Sequence, residues 1–225
     1  MNAKSFVQQF LSLGTFLVIA YASYLLILLS VPYIDGESHT DFLASKQLIY
    51  HIKVWRYSFY IHVFTSPLVI VAGLLQFNRW VLGNWPKVHK TAGYVYTIVV
   101  LFISGPSAFV MALMANGSYP AQISFTTIAL LWIFFTYMGY HHIRRGNVRA
   151  HLIWNLLSYS LTLSAVTQRL YVYLLKAYGP QIGQVEAYVI ISYLSWIPNL
   201  LFAYGLILLK YPEYLMKYRK LVRRK

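Results

Sequence analysis

Long apolar runs alternate with short polar, mostly basic stretches along the 225 residues. Six runs stand out, near 9–31, 57–78, 91–114, 123–143, 151–175 and 187–209. Each has about the 20 residues that carry an α-helix across roughly 30 Å of hydrocarbon. Backbone groups in lipid must be satisfied within their own segment, which leaves helices or closed barrels. The alternating pattern of a membrane barrel strand is absent. The pattern therefore predicts an all-α, polytopic bundle of six transmembrane helices in a single integral membrane domain spanning 1–225. Ala20-Tyr21-Ala22 looks like a signal cleavage site, but the apolar run continues to Val31, so an uncleaved first helix is expected.

Between the first two runs, Pro32 and Gly36 end one helix, and DFLASKQLIYHIKVW follows. Phe42, Leu43, Leu48, Ile49, Ile52 and Trp55 recur there with loose helical periodicity. The expectation is an amphipathic helix on the outer membrane surface, with an ordered loop as the alternative. At the other end, 210–225 reads as a basic cytoplasmic tail that meets anionic headgroups, each basic residue near them giving about 1 kcal/mol.

Composition supports lipid as the solvent. Charged residues make up 11% of the chain, far below the roughly 25% of soluble domains. A net charge of +14 would point to nucleic acid in a soluble protein. Here the basic residues sit in loops and tail, so no nucleic-acid partner is expected and the bilayer is the partner. Lys4, Arg79, Lys87, Lys90, Arg144, Arg145, Arg149 and the tail cations fall on one side. Four of the five acids (Asp35, Glu37, Asp41, Glu186) fall on the other. By the positive-inside rule both termini are cytoplasmic. Cysteine is absent, which excludes disulfides, thiolate metal sites and cysteine nucleophiles.

Polar residues within the runs are costly in lipid and therefore informative. No Asp or Glu lies in any of them, against carboxylate-coupled ion pathways and carboxylate-bridged metals. In the fifth run His151, Asn155, Ser158, Thr162, Ala165 and Arg169 follow steps of three and four, one helix face about 27 Å long. Such a stripe is expected to face protein. Asn155, Ser158 and Thr162 are readily explained as interhelical glue. Arg169 is either a snorkelling cation or a clamp for an anion or ligand headgroup. A weaker stripe, His62, Ser66, Val69, Gly73 and Gln76, runs along the second helix. The sixth offers Ser192, Ser195 and Asn199 beside Pro198.

His89 opens the third helix and His151 the fifth, each after a short basic loop, which hints at a weak parallel duplication. His141 and His142 close the fourth helix at the same level. Two neutral imidazoles at one depth suit a b-type haem, with Arg79 and Arg149 for its propionates. His89 and His151 could equally hold zinc or copper, or donate to a quinone. Interfacial histidines and arginines that snorkel to headgroups are the plain alternative.

From His62 to Asn199 the chain resembles a bacterial family of predicted integral membrane proteins with an uncharacterised domain. HVFTSPLVIVAGLLQFNRW, KVHKTAGYVYTIVVLFISGPSAF, RRGNVRAHLIWNLLSYSLTLSAVTQRL and SWIPNLLFA carry the resemblance. It marks His62, Gln76, Phe77, Arg79, His89, Gly93, Tyr96, His151, Arg169, Trp196, Pro198 and Asn199, and it implies a multi-pass fold with no assigned reaction. Lys90 and Leu152 stand where arginine is expected, which weakens a propionate clamp there.

Three readings follow. The first is a redox-associated protein that interacts with haem or quinone, its cofactor residues His89, His151, Arg79 and Arg149. His62, Gln76, Asn155, Arg169 and Asn199 complete its polar site. The second is a small-molecule transporter or permease. The third is a non-catalytic assembly subunit with a membrane-protein partner, or a homo-oligomer. A zinc hydrolase is disfavoured because no acid is placed as base.

Overall fold

A computed structural model describes residues 3–180 and 182–222, with side-chain surroundings at 13–78, 80–180 and 182–216. The described residues form helices and turns and no strand. The helices are α1 (Ala3–Leu28), α2 (Lys53–Phe77), α3 (Arg79–Asn84), α4 (Pro86–Val99), α5 (Gly105–Ala112) and α6 (Ser118–Arg144). After these come α7 (Val148–Thr162), α8 (Ser164–Tyr178), α9 (Gln184–Leu194), α10 (Ile197–Leu208) and α11 (Tyr211–Val222).

Five helical stretches among the described residues are long and apolar enough to cross a membrane: Leu13–Tyr33, Lys53–Phe77, Pro86–Ala112, Ser118–Arg144 and Gln184–Leu208. The fifth expected helix is not among them. It breaks at Leu163 into α7 and α8 and carries Arg149, Arg169 and Lys176. Still, α7 pairs with α6, and α8 packs against α9, which itself packs against α6. His151 Nδ1 meets the Gly139 carbonyl near the C-terminal end of α6, and Tyr193 of α9 donates to Pro120 O at its N-terminal end. The bundle thus has a cap end, where residues 31–52 lie, and a tail end, where α3 and α11 lie.

Local chemistry shapes these helices. Pro67 lies inside α2 and has no N–H to give, so the Val63 carbonyl one turn earlier loses its usual donor. Ser30, just past α1, donates to that carbonyl at 3.3 Å and to Leu26 O at 3.0 Å, tying α1 to α2. Between α4 and α5 the chain loosens into a π-turn over Val100–Ser104, where the Gly105 N–H bonds Val100 O ahead of Pro106. The α6–α7 hairpin turns through Gly146, whose φ of +75° suits glycine. Asn147 then caps α7 by accepting from Ala150 N at 3.0 Å.

The core joins α2, α4, α6 and α7 around Val69, Tyr96, Val100, Trp132, Tyr159 and Leu161. Gly73 makes room for the Tyr159 ring: a Cβ there would collide with it. Tyr159 in turn donates its hydroxyl to Ile70 O at 3.1 Å.

The amphipathic surface helix expected over 41–55 is not what forms. Residues 31–52 make two short 3-10 helices, Val31–Tyr33 and Asp41–Lys46, joined by turns, before α2 begins at Lys53. In a 3-10 helix side chains three apart eclipse, so Leu43 and Lys46 point inward together and both are buried. Tyr33, Phe42, Trp55 and Phe59 pack around Leu43 in a second small core. Lys46 Nζ donates to Met114 O and lies over the Phe42 and Trp55 rings. Burial pushes its pKa down to about 8. The cap is therefore a plug folded onto the α5–α6 turn.

The tail is also more than a charged end. α11 packs on α3 and α7 with Leu215 buried. The Arg149 side chain donates to Glu213 Oε1 at 2.7 Å, the single ion pair among the described residues. Arg223, Arg224 and Lys225, counted as tail cations, lie outside the described residues.

Candidate functional site

The centre of the bundle is a closed hydroxyl network. Tyr96 Oη of α4 lies 2.7 Å from both Ser158 Oγ and Thr162 Oγ1 of α7. Thr136 Oγ1 of α6 lies 2.7 Å from Ser158 Oγ, and Trp132 Nε1 donates to Thr162 Oγ1 at 2.9 Å. All five side chains are buried. Every hydroxyl hydrogen has an acceptor here, which is what burial in an apolar bundle requires. The Ser158 and Thr162 positions of the sequence stripe thus act as interhelical glue.

Two turns toward the tail end from this contact lie the two expected histidines. α4 and α7 run the same way, both antiparallel to α6. His89 is seven residues before Tyr96, and His151 is seven before Ser158. At 1.5 Å per residue each lies about 10 Å below the shared contact, so they share a depth. Each is held by an amide and a glycine. Gln76 packs against Gly93, and its Nε2 donates to His89 O. Asn155 packs against Gly139 and donates to His151 O at 2.8 Å. His151 Nδ1 lies 2.8 Å from both the Gly139 carbonyl and Asn155 Nδ2. Among the described residues no group of three or more His, Asp or Glu side chains is arranged to hold a metal.

The remaining tail-end positions separate. His141 and His142 stack edge to face at 5.5 Å beside Tyr137. Arg149 is engaged by Glu213, whose carboxyl this hydrogen bond holds below the ordinary range. Glu213 is the partner sequence reasoning missed. The Arg79 side chain lies outside the described residues. An apolar groove of about 730 Å³ opens between α1, α2 and α4, from Ile34 at the cap end to Leu75, Lys87 and Val88 at the tail end.

His62 and Arg169 both lie toward the cap end. His62 Nδ1 donates to Ser104 O at 3.1 Å, in the π-turn, which leaves Nε2 as the acceptor side. Ser66 and Ser104 hydroxyls meet at 3.0 Å beside it. Arg169 of α8 donates Nη1 to Ala165 O at 2.9 Å. It is solvent-exposed in the isolated chain. Asn199 lies apart from both sites. Its Nδ2 reaches Ser160 O, Ser195 O and Thr167 Oγ1, bracing the breaks between α7 and α8 and between α9 and α10.

The expected 27 Å stripe is thus not one continuous surface. His151 to Thr162 belong to α7, and Ala165 and Arg169 to α8 beyond the break at Leu163. The Tyr96–Trp132–Thr136 side of the network and the π-turn carried no periodic signal. Gly105-Pro106 was the one local hint of an irregular helix there.

Residues 59–207 match the family described as "Predicted membrane protein (DUF2306)", and the chain belongs to that family. No curated protein and no solved structure matches the chain.

Proposed function

We propose that this member of the predicted membrane protein family is a six-crossing protein of the bacterial inner membrane, both termini cytoplasmic, that binds a quinone at its tail end. α7 and α8 supply the sixth crossing. The observation that carries the reading is the groove between α1, α2 and α4. It has the apolar length for an isoprenoid tail, and Lys87 and Thr91 line its tail end, where a ring carbonyl needs donors. Gathering basic residues at that end sets it on the cytoplasmic side.

A b-type haem is the second reading, favoured by the equal depth of His89 and His151. Arg149, engaged by Glu213, is then a structural residue rather than a propionate clamp. Transport draws less support, since the polar centre is closed by Tyr96, Ser158 and Thr162.

Protein purified in mild detergent is expected to retain quinone in its solvent extract and to lack a Soret band. Lys87→Ala lowers the retained quinone. A Soret band without quinone selects the haem reading. Neither quinone nor haem in protein freshly drawn from membranes overturns the redox assignment.

A further inference from the structure

The turn between α5 and α6 carries a dipeptide found nowhere else in the chain. Asn116-Gly117 is its one Asn-Gly pair. The fold itself asks for the glycine. Residue 117 holds φ at +86°, and a Cβ there would collide with Tyr188 of α9 and Ala121 of α6. Gly117 is the N-cap of α6, and its backbone N–H makes no hydrogen bond among the described residues. Asn116 is half-buried, and its side chain ties the turn to the cap. Ser45 Oγ gives its hydrogen to Phe42 O at 2.8 Å, so it accepts from Asn116 Nδ2 at 3.0 Å. Lys46, the next cap residue, donates to Met114 O in the same turn.

We infer that Asn116 is a self-modifying site, whose side-chain amide converts to a carboxylate and so releases this latch. A hydroxide takes the Gly117 amide proton, and the nitrogen attacks Asn116 Cγ. The new N–Cγ bond closes a succinimide ring, the Cγ–Nδ2 bond breaks, and Nδ2 leaves as ammonia with a proton from water. Water then opens the ring at either carbonyl. The products are aspartate or, with the chain rerouted through Cγ, isoaspartate. Water is consumed, and nothing is oxidised or reduced. Glycine favours the attack because no Cβ screens its nitrogen. The partial positive charge at the start of the 27-residue α6 favours both the amide anion and the carboxylate product. Titratable side chains that touch the turn are Lys46 on Met114 O, Tyr188 against Gly117 and Tyr193 on Pro120 O. None of them is negative at neutral pH, so none repels the anion. The product offers acceptors alone where Ser45 Oγ needs a donor, so that bond is lost. Fresh protein holds its cap by Lys46 and the Asn116 latch; aged protein keeps Lys46 and loses the latch. The turn contributes no residue to the quinone groove and stands without it.

The test is peptide mapping by mass spectrometry of the full chain, kept folded in detergent at mildly alkaline pH and sampled over weeks. Residue 116 is expected to show the mass shift of an amide-to-acid exchange ahead of every other asparagine, with an isoaspartate peptide beside the aspartate one. Ser45→Ala frees Nδ2 and is expected to speed the conversion several-fold, whereas Asn116→Gln removes it. Hydrogen exchange at 41–46 reads the latch. Asn116→Asp and aged wild type should exchange faster there than fresh wild type, while aged Asn116→Gln exchanges as it did when fresh. An amide at 116 that outlasts ageing in the folded chain, while the urea-unfolded chain converts, overturns the site. Conversion that leaves exchange at 41–46 unchanged, in aged wild type and in Asn116→Asp alike, overturns the latch.

Discussion

α7 and α8 are consecutive, equally long and separated by one residue, yet they live in different surroundings. α7 buries Leu156, Ser158, Tyr159, Ser160, Leu161 and Thr162, whereas α8 buries nothing. Four of these six carry hydroxyls, and those of Ser158, Tyr159 and Thr162 meet partners on α2, α4 and α6. The residues of α8 include a charge and large exposed apolar side chains. The lesson is that polar periodicity alone does not say whether a helix face is closed. What decides is whether neighbours carry the complementary donors and the glycines that let helices approach. Gly73 and Gly139 do this for α7; no glycine contact of this kind involves α8 apart from its own C-terminal Gly179.

That contrast can be broken deliberately. Trp132→Ala should cost about 3–5 kcal/mol, the range for truncating a buried aromatic, and it also removes the donor to Thr162. Val172→Ala on α8 should change stability by less than about 0.5 kcal/mol. Thermal melts of both in one detergent check the pair, and equal losses would erase the distinction. Next in size, Gly73→Ala drives a methyl into the Tyr159 ring and should cost about 1–3 kcal/mol as overpacking. The same melt reads it.

The cap sharpens the comparison through pH. Lys46 has a folded pKa of about 8 against the ordinary 10.5. Between those values the unfolded chain binds more protons than the folded one, so stability rises with pH from about 8 to 10.5 and is flat below. Lys46→Met should abolish the rise, as followed by Trp55 fluorescence in melts across that window. Smallest of all, Glu213→Gln loosens α11 from α7 without disturbing the bundle. Limited proteolysis should cut the tail faster in that variant, while the melting midpoint of the core stays put.

Much of this architecture is legible in the chain. Apolar runs mark the helices within a few residues, and the Gly146 turn and the histidine-led helix starts are visible as written. The break at Leu163 is not, because no proline or glycine marks it. It arises where the hydroxyl packing of α7 ends and Asn199 and Thr167 brace the gap from α10 and α8. The folded cap is also hidden. Phe42, Leu43 and Trp55 fit a surface helix as well as a plug, and only the reach of Lys46 to Met114 O decides. Arg149 likewise reads as a ligand clamp until Glu213, 64 residues away, is seen beside it. The sequence carries no sign of the π-turn carbonyl that meets His62 Nδ1.

α7 is closed, while the α8 face beside Arg169 is open. The natural absence of cysteine makes this directly measurable. Single substitutions Ser158→Cys and Ala165→Cys, purified in detergent without anionic lipid, would be reacted with a small anionic thiosulfonate. The account predicts that the thiol at 165 modifies readily and slows when Arg169→Gln is added, while the thiol at 158 stays protected until the protein unfolds. Equal rates at the two positions, or a reactive 158 with an inert 165, would contradict it.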